Sequence, residues 1–117
     1  MISLETAQKL KTAGLVWEPQ QGDWYFSYGQ TEWIISNMEN FIESEKHILT
    51  NRLFRPRLDQ LLTEIRNREW EFILMPLGIE IYQTDWQGEK SRRRDFYTRY
   101  EDATAEALIW VLHQGGS

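Results

Sequence analysis

Lys90, Arg92, Arg93 and Arg94 form the densest basic run of the chain, and Phe96 and Tyr97 follow within three residues. Cations beside exposed aromatic rings grip single-stranded nucleic acid, the cations on phosphates and the rings on bases. Arg99 would extend such a surface. Against this reading, Glu89 and Asp95 bracket the run, and a strand at a sheet edge commonly carries Lys or Arg to deter pairing with another chain. A formal net charge of −5 is also poorly suited to phosphate neutralisation. Edge protection is therefore favoured, and single-stranded nucleic-acid binding through residues 90–99 is the alternative.

The residues that usually carry catalysis are sparse. The two histidines, His47 and His113, have no partner at metal-ligand spacing except Glu43, four residues before His47. One Glu/His pair is a poor ligand set beside the triads of zinc and iron sites, and His113 is accounted for by a place in the last turn of a helix. Glu39, Glu43 and Glu45 lack the alternating oxygen ligands and turn glycine of a calcium loop. Cysteine is absent, which removes thiol nucleophiles and thiolate metal sites. No G-x-S-x-G, Walker or G-x-G-x-x-G pattern occurs. The expectation is a non-enzymatic chain with no catalytic residue, metal site or cofactor.

The surplus lies in aromatics, with six tryptophans and five tyrosines in 117 residues. Trp17, Trp24 and Trp86 flank turns, where aromatics can form a recognition surface. Because strand alternation buries half of any aromatic run, core and lid roles are favoured over recognition for the set as a whole.

These residues must be positioned by elements that periodicity picks out. The stretch Ala103–His113 is unbroken apolar from Ala107 to Leu112, and as a helix it requires cover on several sides. Leu58, Leu61, Leu62 and Ile65 repeat at helical spacing after Pro56, which suits the first helical position, so a helix runs 56–67. Ile2–Ala13 reads as a thinner amphipathic helix capped by Ser3, with Gly14 as its C′ residue. Asp23–Tyr28 and Thr31–Ser36 form a hairpin about a type II′ Gly29-Gln30 turn. Asn37–Lys46 reads as a short helix or irregular turn.

Trp70–Met75 and Ile79–Thr84 form a second hairpin across Pro76-Leu77-Gly78, Arg92–Tyr100 is a fifth strand, and Asp102 caps the final helix. The fold class is α+β: one domain over residues 1–117, with an antiparallel sheet of about five strands, built from two hairpins plus one strand and packed by three main helices.

The N-terminus lacks the basic start and apolar core of a secretory signal, and the longest apolar run is far too short to span a bilayer. The expectation is a cytoplasmic protein with no membrane association. Its partner would be an unidentified protein or further copies of itself.

Three segments, LETAQKLKTAGLVWEPQQGDWY, RPRLDQLLTEI and EDATAEALIWVLHQ, together resemble a group of small uncharacterised proteins of bacteria and their phages. The shared features are an A-x-x-L-x-x-A-G opening, a P-x-L-D-x-L-L helix and an alanine-rich closing helix. They are structural, so the resemblance implies a prophage or mobile-element origin and transfers no catalytic residue.

Overall fold

The computed structural model describes residues 1–26, 32–35, 52–84, 87–88, 90–97 and 99–115. Among them lie three helices and six strands, and the chain divides into two compact units: Ile2–Pro56, and Arg57–Ser117 with Met1. The α+β class holds. The single five-stranded sheet does not, because the strands form two separate three-stranded antiparallel sheets.

In the first unit, α1 (Leu4–Thr12) starts at Ser3, whose hydroxyl accepts from the Thr6 amide. It ends in a Schellman turn: Leu15 N–H reaches Leu10 C=O and Gly14 N–H reaches Lys11 C=O, with Gly14 at φ 108°. That left-handed backbone is where glycine is needed. Strands β1 (Trp24–Phe26), β2 (Glu32–Ile34) and β3 (Leu53–Arg55) make a sheet in the order β2-β1-β3.

A two-residue turn at Gly29-Gln30 would place Trp24 opposite Ile35. The observed partner is Ile34, one residue off that register, and the turn itself lies outside the described residues. The expected element at Asn37–Lys46 lies outside them as well.

In the second unit, α2 (Leu58–Asn67) begins two residues later than expected. Arg57 is its N-cap and Pro56 precedes the cap, while Gln60 Oε1 accepts from Arg57 N–H at 2.9 Å. Leu61 and Ile65 are fully buried on its apolar stripe. Its end is a second Schellman turn, with Trp70 N–H to Ile65 C=O and Glu69 N–H to Arg66 C=O. Here the left-handed position is Glu69, at φ 66°.

Strands β4 (Glu71–Met75), β5 (Gly78–Thr84) and β6 (Lys90–Phe96) follow, in the order β4-β5-β6. The β4–β5 connection is Pro76-Leu77, two residues instead of three, because Met75 already pairs with Gly78. Proline first and a positive φ second (Leu77, 60°) is the pattern of a type II turn.

The last helix, α3 (Tyr100–Gly115), starts before the expected boundary. Arg99 C=O accepts its first bond, from Ala103 N–H, so Asp102 lies within the first turn instead of capping it. There it still favours the helix dipole. Ala103, Ala105, Ala107 and Leu108 are fully buried, and α3 packs on α2, β5 and β6. No helix of the described residues is long and apolar enough to cross a membrane.

Candidate functional site

Side chains alternate along a strand, and in β6 this divides the basic run. The register sets Arg93 opposite Ile81 and Asp95 opposite Ile79, whereas Arg92 faces Tyr82, Arg94 faces Glu80 and Phe96 faces Gly78. Ile79 and Ile81 are fully buried, so Arg93 and Asp95 share the covered face of the sheet.

On that covered face, Arg93 grips Asp95 with two parallel bonds, Nε to Oδ2 at 2.7 Å and Nη2 to Oδ1 at 3.0 Å. Its guanidinium also sits 5.5 Å from the centroid of the Trp110 ring, and Trp70 meets Trp110 edge-on at 5.3 Å. The paired geometry and the ring make this a tie between β6 and α3. The hydrogen bond to Asp95 raises the Arg93 pKa above its ordinary value, against the opposing effect of burial. The guanidinium is therefore charged at every ordinary pH.

The other face carries exposed apolar groups on its two outer strands. Ile73 is 49% exposed and Phe96 57% exposed. Between them Glu80 is almost fully buried, bridged by Arg92 at 3.4 Å and Arg94 at 3.2 Å. A carboxylate with two arginines folded over it needs no further cover. The Phe96 ring lies across Gly78, where an added Cβ would sit 2.6 Å from Cδ1 of the ring. The same Cβ would meet the Asp95 carbonyl at 2.7 Å, so the close approach of β6 as well as the ring keeps position 78 glycine.

In the first unit, Trp17 is core. Its indole N–H donates to Asp23 Oδ2 at 2.9 Å, which also accepts from Gln20 N–H at 3.0 Å. The ring stacks on Phe54 at 5.2 Å and tilts against Tyr25 at 5.8 Å. Trp24 is half-buried on the opposite side of β1 from Tyr25, so Trp17 and Trp24 do not share a surface. Trp86 lies outside the described residues. A cavity of about 40 Å³ beside Trp17 and Phe54 takes in Lys11 and Arg52, well below the roughly 300–1,000 Å³ of small-molecule sites.

The remaining expected site residues are dispersed. Arg99 is exposed and pairs with Asp102 at 3.5 Å; Lys90 opens β6 opposite Thr84. Among the described residues no three His, Cys, Asp or Glu side chains converge as a metal site would require.

The residue that sequence reasoning missed is Glu80, the common partner of both outward arginines. Alternation alone separates Arg92 and Arg94 from Arg93, but pairing them with Glu80 requires the β5–β6 register, which the polar loop between the strands does not encode.

No protein-family model matches the chain, and neither does any curated protein or solved structure.

Proposed function

We propose that the chain is a non-enzymatic protein that acts through protein contact, using the uncovered face of the β4–β5–β6 sheet. The observation that carries this reading is the composition of that face: Ile73 and Phe96 exposed around the Glu80–Arg92–Arg94 cluster. Exposed apolar and aromatic groups with arginine among them are the usual make-up of an interface centre. Phosphate contact favours unneutralised cations, and here each arginine of the run already faces a carboxylate. The alternative, single-strand binding through residues 90–99, is therefore ranked second. A prophage or mobile-element origin fits the same reading, and flanking phage genes would support it.

The test is capture by the immobilised chain, wild type against Phe96→Ala. A specific protein retained by wild type and lost by the variant supports the reading. Equal retention by both, or turnover of a substrate by the purified chain, overturns it.

A further inference from the structure

The two edges of the β4–β5–β6 sheet differ sharply. The outer strand β6 reads Lys-Ser-Arg-Arg-Arg-Asp-Phe, charged along most of its length, whereas β4 reads Glu-Phe-Ile-Leu-Met. Ile73 and Leu74 of β4 are 49% and 44% exposed, and Leu77 in the adjoining turn 63%. An apolar edge with no charge beyond its first residue invites another strand.

The hydrogen-bond phase shows which groups that edge presents. Tyr97 N–H donates to Leu77 C=O at 2.9 Å, so odd-numbered residues at this end of β5 bond toward β6 and Gly78 and Glu80 bond toward β4. Their partners Met75 and Ile73 therefore point inward, leaving Phe72 and Leu74 with N–H and C=O directed outward.

We infer that β4 pairs antiparallel with β4 of a second copy of this chain, about a two-fold axis at Ile73. A two-fold axis perpendicular to the sheet keeps each face continuous, so residues opposite one another must share a face. Centring it on Ile73 sets Phe72 of each copy opposite Leu74 of the other. Those are the two residues whose backbone groups point away from β5, and the pairing closes four N–H to C=O bonds. Glu71 falls opposite Met75 and never opposite Glu71, so no like charges meet across the join. Leu74 covers Phe72 of the second copy on the helix side, and the two Ile73 side chains meet on the open side. A self-complementary contact of this kind closes as a dimer and leaves the charged β6 strands at the outer edges.

A dimer of this kind goes beyond the protein-contact reading. It uses the edge of β4 and not the face around Phe96. The test is the mass of the full chain by light scattering and sedimentation across a concentration series, with amide exchange at Phe72 and Leu74. Wild type and Phe96→Ala are expected at twice the chain mass with both amides protected. Leu74→Lys and Ile73→Lys are expected at the single-chain mass, with native circular dichroism and fast exchange at position 72. A single-chain mass for wild type at every concentration, or a dimer that survives both lysine substitutions, overturns the inference. Should either lysine variant unfold, the other decides; should both unfold, unprotected Phe72 and Leu74 amides in concentrated wild type overturn it. A wild-type monomer that still captures a partner in a Phe96-dependent way defeats the second-copy inference alone.

Discussion

Arg93 and Arg94 are neighbours in the chain and opposites in the fold. Arg93 lies on the covered face, where it holds Asp95, 7% exposed, and reaches Trp110 of α3. Arg94 lies on the open face, 56% exposed, and shares Glu80 with Arg92. The difference shows that a basic run in a strand is two sets of charges, each set by what lies across from it. Read as a run, it suggests a phosphate-binding stripe; read by face, it is one tie into the core and one surface cluster in which two arginines share a carboxylate.

The largest way to break this contrast is Asp95→Ala. Removing one partner of a buried pair leaves an uncompensated charge. With Arg93 34% exposed, water takes up part of that charge, and the expected loss is about 2 kcal/mol in urea unfolding. Replacing both members by apolar residues, Arg93→Met with Asp95→Leu, should return stability to within about 1 kcal/mol of wild type. A double variant as unstable as Asp95→Ala would mean the loss lies in packing and not in the stranded charge.

On the open face Glu80→Ala should cost less, about 1 kcal/mol, because its partners are solvated. Arg92→Ala and Arg94→Ala taken singly should each cost within about 0.5 kcal/mol, since the other arginine still covers Glu80. If either single change matched Glu80→Ala, the two arginines would not be interchangeable, and the cluster would depend on one of them.

How far these features were legible depends on how local their causes are. The buried α3 and the α2 stripe follow from side-chain periodicity within one element, and both are present. Gly14 was readable as a helix terminator because glycine is the usual left-handed residue there, while Glu69 serves the same geometry without that mark.

Gly78 misled in the other direction. As glycine it suggested a loop, but it is a buried strand residue kept small by the Phe96 ring and the Asp95 carbonyl, and the positive φ falls on Leu77. Strand β3 is only three residues long, between Arg52 and Pro56, and it gains its identity from pairing with β1 instead of from its own pattern. The separation into two sheets was illegible for the same reason, since strand partners are chosen across the fold. Of the site, strand alternation is enough to divide the arginines, although from the sequence they are read as one run; Glu80 emerged only with the register.

Under the proposed function, Glu80 holds Arg92 and Arg94 away from phosphate on the open face, which serves protein contact. The most direct test is titration of a labelled single-stranded oligonucleotide at low salt with wild type and Glu80→Gln. The account predicts no binding by wild type, and salt-sensitive binding by Glu80→Gln, whose Arg92 and Arg94 are released. Wild-type binding that falls with salt and is abolished by alanine at Arg92 and Arg94 would contradict it.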